Sequence, residues 1–324
     1  MKIPSIPILF KTKSHDAGWF AISLGAHGIY LAKIKFAGAM PCVVRCEYHE
    51  TGAVPASSLE KLRRDTDLRR ETDIGNHDVT TLLAPGEYQM LLVEAPNVPS
   101  DEMKTAVRWK IKDGLNFHID DATVDMVRVP ASKYASGRPQ SLYAIAAANG
   151  IIQERIRLFE QAKIGLDVID IPEMAQRNIA ALFERDDRAL VMLAFDDYGG
   201  LMTFTAGGEL YLSRRIEISV GQLLDANESL RQQYRDRVET ELQRSLDYFD
   251  RQYNHLPVDM VLVCVPDNTG LVEFLASELD AKVQKLDLSQ VMDISAIPEL
   301  ADSEFVAHAL PTLGAALRQE SRVL

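Results

Sequence analysis

The sequence is poor in cysteine, with only Cys42, Cys46 and Cys264 among 324 residues. An odd and sparse set excludes a disulfide framework. No His or Cys cluster accompanies the Cys42/Cys46 pair, so the thiols read as buried structural groups. Long apolar runs are missing too, and none approaches the ~18 residues a membrane helix needs. The start holds Ile3, Ile6, Ile8, Leu9 and Phe10, but Pro4 and Pro7 interrupt them and Lys11 and Lys13 follow rather than precede. That order does not read as a secretory signal, and a cytoplasmic location is expected. Residues 1–17 read as a tail, with lipid contact by 3–13 as the alternative. Positive charge is short as well: Lys and Arg total 35 against 47 Asp and Glu, a net charge of −12. Nucleic acid is therefore not an expected partner, because phosphate binding needs clustered cations.

The P-loop GxxxxGK[ST], HExxH and GxSxG patterns are all absent. The seven histidines are scattered. Asp120-Asp121 and Asp196-Asp197 are adjacent pairs, which point apart on a strand or turn. No catalytic residue, metal ligand set or required cofactor is assigned.

What is present is a globular composition, 47% apolar and 25% charged. Its length suits two domains. Residues 18–25, 29–36 and 42–48 read as strands joined by glycine turns. Residues 60–73 carry alternating charge on few apolar anchors and read as a solvated helix. A strand is expected at 88–94. A helix follows, with Ser100 as N-cap and Met103, Val107, Ile111 and Leu115 as its apolar stripe. On it, Trp109 reads as a partly buried core residue, with a partner anchor as the alternative. Strands at 122–129 and 142–148 flank a loop at Gly137-Arg138-Pro139. A helix at 151–163, a strand at 166–171 and a helix opened by Pro172 complete the half.

The opening pattern then returns, with strands at 190–195, 201–205 and 210–216. The strongest helical signal is the seam Leu230, Tyr234, Val238, Leu242, Leu246, Phe249 and Tyr253, spaced by fours and one three. A strand at 258–265, a helix at 269–279, a short strand at 282–286 and a helix at 305–317 end the chain. The reading is an α/β protein with mixed sheets. Two halves, 18–185 and 186–324, share a topology.

A duplicated strand–hairpin–helix pattern resembles the actin-like ATPase superfamily, in which nucleotide sits between the halves. More specifically, residues 86–99 (GEYQMLLVEAPNVP), 108–113 (RWKIKD), 117–122 (FHIDDA) and 241–249 (ELQRSLDYF) resemble the PilM family of type IV pilus assembly proteins. The resemblance runs from about residue 18 to 318. It implies an FtsA-like arrangement with a small subdomain inserted at about 86–147. It also implies a role as a cytoplasmic adaptor, peripheral at the inner membrane. The partner would be the cytoplasmic N-terminal tail of a single-span PilN- or MshJ-like protein, with the pilus assembly ATPase as an indirect partner. By the same resemblance the tail would meet Tyr30, Ala32 and Ile34 of the second strand, and Arg108, Ile111, Lys112 and Leu115 of the inserted helix.

The alternative is an ATP- and Mg-binding protein whose nucleotide state gates assembly. The family's first strand usually ends Asp-Ile-Gly-Ser, and the matching run here is Ser23-Leu24-Gly25-Ala26, followed by His27. A carboxylate that would serve hydrated Mg²⁺ has become a hydroxyl. The second turn keeps Asp196, Gly199 and Gly200. Glu241 matches a ribose-side carboxylate, and the third turn reads Pro266-Asp267-Asn268-Thr269-Gly270. Ser23, Gly25, Ala26, Asp196, Gly199, Gly200, Glu241, Asn268 and Gly270 are thus the candidate vestigial nucleotide site.

Overall fold

The computed structural model describes residues 18–25, 28–36, 38, 40–50, 55–65, 78–131 and 140–319. The expected tail, Ala26, His27, the end of the charged helix and the 137–139 loop lie outside them.

Strands β1 (Trp19–Leu24), β2 (Gly28–Phe36) and β3 (Pro41–Glu50) form an antiparallel meander, followed by helix α1 (Pro55–Asp65) and strand β4 (Asp78–Leu82). β4 was not expected. It is short, and two of its five residues are threonines, whose hydroxyls are buried with no hydrogen-bond partner among the described residues. Next come β5 (Tyr88–Glu94), α2 (Met103–Ile111), β6 (Ala122–Arg128) and β7 (Ser141–Ala148). α2 starts later than Ser100 predicts: Glu102 occupies the cap position and makes no side-chain cap bond. α3 (Asn149–Gln161), β8 (Val168–Asp170) and α4 (Pro172–Ala180) follow.

The second meander is β9 (Ala189–Asp196), β10 (Gly199–Ala206) and β11 (Glu209–Ile216). The rest is α5 (Val220–Leu223), α6 (Glu228–Gln252), β12 (Val258–Cys264), α7 (Leu271–Glu278), β13 (Val283–Lys285) and α8 (Ser303–Ala316).

The two large sheets repeat one plan. One has the order β3-β2-β1-β4-β8 and the other β11-β10-β9-β12-β13, each with an antiparallel meander followed by two parallel strands. A third sheet, β5-β7-β6, is antiparallel and lies in sequence between β4 and β8.

The central layer explains the geometry of the site. α4 and α8 lie between the two large sheets, packed on Ala32, Ile34 and Val43 from one and Leu190, Met192 and Leu262 from the other. The helices are rich in alanine on their buried faces, with Ala175 and Ala180 on α4 and Ala307, Ala309, Ala315 and Ala316 on α8. Small side chains let the helix backbones approach closely. At Gly314 a Cβ would stand 2.1 Å from the carbonyl oxygen of Ala175.

The outer face of the first sheet is covered by α1 and α3 through Phe20, Ile22, Leu59, Leu62 and Phe159. That of the second is covered by α6 and α7 through Val238, Leu242, Phe249 and Leu275. The α6 seam therefore holds at its centre, while Leu230 at its start is exposed. Cys46 and Cys264 are buried and Cys42 is partly so.

Candidate functional site

The first hairpin of each meander is pinned at its turn by hydrogen bonds from backbone amides. In the β9–β10 hairpin the Asp196 Oδ1 accepts the amides of Tyr198 (2.8 Å) and Gly199 (3.2 Å). Gly199 has φ +132°, and a Cβ there would lie 2.7 Å from the Ile216 carbonyl oxygen, so only glycine closes this turn without strain. In the β1–β2 hairpin the Gly25 amide donates to the Gly28 carbonyl at 2.8 Å.

These two hairpins face each other across a cavity of about 420 Å³. Ser23, Leu24 and Gly25 line one side, Asp196, Asp197 and Tyr198 the other, and Asp302, Glu304, Phe305, His308 and Pro311 of the α8 region close it. Tyr30 and Tyr48 stand together, ring centroids 4.9 Å apart, and Phe305 and His308 lie 6.2 and 6.5 Å from Tyr30. Burial pushes the Tyr30 phenol up to about 12, helped by the nearby Tyr48, Asp197 and Glu304. Burial also pushes the Asp196 carboxyl up, against the downward pull of the Tyr198 and Gly199 amides.

Do these residues fit the phosphates of a nucleotide? Such a site needs free backbone amides, cations and an acid for the metal. Here the turn amides of Tyr198 and Gly199 are taken by Asp196. Ser23 hydrogen-bonds Thr312 of α8. The described lining carries four carboxylates and no Lys or Arg. This described lining offers a polyphosphate no Lys or Arg and no free amide from Tyr198 or Gly199. Among the described residues, no group of three or more His, Cys, Asp or Glu is arranged to hold a metal ion. Mg·ATP is accordingly expected to leave the melting temperature unchanged. A ligand at 100 times its dissociation constant would add about 2.7 kcal/mol, and a saturable shift of that size would refute this reading of the cleft.

The structure thus gathers Ser23, Gly25 and Asp196 at the cavity, with Gly199 and Gly200 closing the hairpin behind Asp196. It does not bring the ribose-side residues there. Glu241 lies on α6, where it accepts from Arg244 at 3.2 Å. Asn268 and Gly270 sit at the end of β12, beside an Asp267–Lys285 ion pair of 2.5 Å. These three positions are not among the residues that line this cavity. Tyr48, Phe305, His308 and Thr312 do belong to it or brace it, and sequence reading missed them. The one available signal was Pro311-Thr312-Leu313-Gly314, a proline and a glycine inside an otherwise alanine-rich helix.

The expected peptide-binding residues also divide. Ala32 and Ile34 are fully buried against α8 and the second sheet, so they offer nothing to a peptide. The expectation failed because β2 is covered on both faces. Ile111 is buried against Val124 and Ala144 of the small sheet. Arg108 donates to the carbonyls of Ile119 (2.6 Å) and Ala122 (2.7 Å), which makes it a brace for the following turn. Tyr30 belongs to the cleft. Lys112 and Leu115, by contrast, line an open depression of about 700 Å³ with Trp109, Phe117 and His118. Trp109 is 62% exposed, which corrects the core reading.

The face of the small sheet away from α2 is tied to the second half. The Tyr88 hydroxyl donates to Glu173 Oε2 at 2.5 Å, and Arg215 Nη2 donates to the Tyr88 oxygen (2.6 Å) and to Glu173 Oε1 (2.9 Å). Burial raises the Tyr88 phenol far above its ordinary range. The Ser213 amide donates to the Tyr143 hydroxyl at 3.1 Å. Tyr88→Phe leaves a buried carboxylate oxygen unpaired and is expected to cost about 1–3 kcal/mol in chemical denaturation. A loss under ~0.5 kcal/mol would show that the network does not hold the small sheet in place.

The repeated sheet plan, the two helices between the sheets and the facing hairpins define the actin-like ATPase fold, and the chain has that fold. Among solved structures, the PilM–PilN type IV pilus biogenesis complex contains a chain that matches with a TM-score of 0.72, at 17% identity, over 94% of this chain and 100% of that one. The cytoplasmic domain of EpsL, an inner membrane component of the type II secretion system of Vibrio cholerae, matches with a TM-score of 0.48, at 11% identity, over 93% and 96%. A Bacteroides thetaiotaomicron protein with an actin-like ATPase fold matches with a TM-score of 0.49, at 8% identity, over 89% and 96%. No family model and no curated protein matches the sequence.

Proposed function

We propose that this chain is an adaptor of type IV pilus assembly. It binds the cytoplasmic N-terminal tail of a single-span inner-membrane protein of the PilN or MshJ kind and thereby sits at the membrane. The observation that carries the reading is the likeness to the chain of the PilM–PilN complex, which spans 94% of this chain and all of that one. The resemblance of the runs at 86–99, 108–113, 117–122 and 241–249 supports a role of the MshI type, in MSHA pili. Contact with the assembly ATPase is indirect. No described helix is long and apolar enough to cross a membrane; in this reading the membrane partner is the anchor. The described cleft lining, with four carboxylates and no Lys or Arg, supports docking over hydrolysis. The tail docks at the depression around Trp109, Lys112 and Leu115, where an exposed aromatic adjoins charged and apolar groups.

Titration of the protein with a synthetic N-terminal tail of a PilN-like partner from the same cell tests this by calorimetry. Saturable one-to-one binding is expected, at modest affinity because the tail must be ordered. Absence of binding by the tail, and by the intact partner in detergent, would sink the proposal.

A further inference from the structure

The acidic cleft has a positive chemical preference of its own. Its walls are aromatic: Tyr30 against Tyr48, with Phe305 and His308 packed around them. Its rim is acidic, with Asp197, Asp302 and Glu304. Its one described basic group, His308, already faces Asp197, with Nε2 3.4 Å from the carboxylate, and its Nδ1 lies 2.9 Å from the Glu304 carbonyl oxygen. Ring faces attract cations through their quadrupoles, and groups of rings are used to hold quaternary ammonium heads. Its volume, about 420 Å³, falls within the usual range for small-molecule sites.

We propose that the inter-sheet cleft binds a compact organic cation, an alkylammonium head seated against Tyr30, Tyr48 and Phe305 and neutralised by Glu304 and Asp197. This inference is independent of the adaptor reading, since it rests on cavity chemistry rather than on the tail.

The shared chemistry, an alkylammonium group, has two sources: a free small cation or a lysine side chain from a peptide. Calorimetric titrations with choline and with N-acetyl-lysine methylamide separate them. The uncharged carbon isostere of choline, 3,3-dimethylbutan-1-ol, reports shape alone. One of the two cations is expected to saturate in the ~millimolar range or tighter, and the tighter arm names the source. The isostere is expected to bind at least tenfold more weakly than choline in the first case. Glu304→Gln, at an exposed carboxylate that leaves the core untouched, is expected to weaken the cation at least fivefold. Failure of both cations to saturate overturns the proposal. So does equal binding of choline and its isostere where choline is the tighter arm, or unchanged affinity in Glu304→Gln.

Discussion

Replacing Trp109 by alanine is expected to weaken the binding of a partner tail roughly 30-fold, the scale of an aromatic hot spot worth about 2 kcal/mol. The folded state should barely notice. Trp109 is 62% exposed, projects from the opposite side of α2 to the buried Val107 and Ile111, and has Lys112 Nζ 5.9 Å from its ring. An unpacked indole of this size on a short helix has no evident structural purpose, whereas an indole is among the side chains most often central to interfaces. Tail affinity measured by calorimetry, with a denaturation curve run alongside, separates the two. An affinity within twofold of the unmodified protein would move the docking surface elsewhere. Lys112→Glu should act in the same direction if the tail carries acidic groups nearby, and in the opposite direction if it is basic there.

Gly314→Ala should have the largest effect on stability. The added methyl would meet a carbonyl oxygen at 2.1 Å and its carbon at 2.5 Å, both in the backbone of α4. A backbone cannot rotate out of the way as a side chain can, so α4 and α8 must part. Overpacking of this kind costs about 1–3 kcal/mol and here belongs at the upper end. The separation would also break the bond from Asn178 Nδ2 to the Gly314 carbonyl (2.9 Å). Because α8 carries Thr312, His308 and Glu304, the cleft should loosen along with the core. A melting temperature lowered by several degrees is expected, and an unchanged one would mean that the helices have slack the packing does not show.

Much of this architecture is legible in the sequence because it rests on periodicity. The α6 seam, the repeated three-strand pattern and Pro172 at the first turn of α4 are local signals, and the structure places the last two as read and the seam at its centre, with Leu230 exposed. β4 escaped because two threonines and a valine carry no clear alternation. The site was harder. The family resemblance put the tail on Tyr30, Ala32 and Ile34 of β2, but whether a second layer covers that face depends on α8, about 270 residues away in sequence, and no local pattern records that. Trp109 was misjudged for the same reason: an aromatic on a helix looks like core until the position of the sheet beneath is known. Ser23 stood out as a departure from an acidic position, yet its actual partner, Thr312, belongs to the far end of the chain.

The two tryptophans have opposite surroundings. Trp19 is 7% exposed, in β1 beneath the Arg318 guanidinium, whereas Trp109 faces solvent. They are the only two in the sequence. Intrinsic fluorescence is therefore split by nature into two channels. A water-soluble quencher reaches one indole and spares the other, so docking near α2 and melting of the first sheet can be followed in one cuvette without a label.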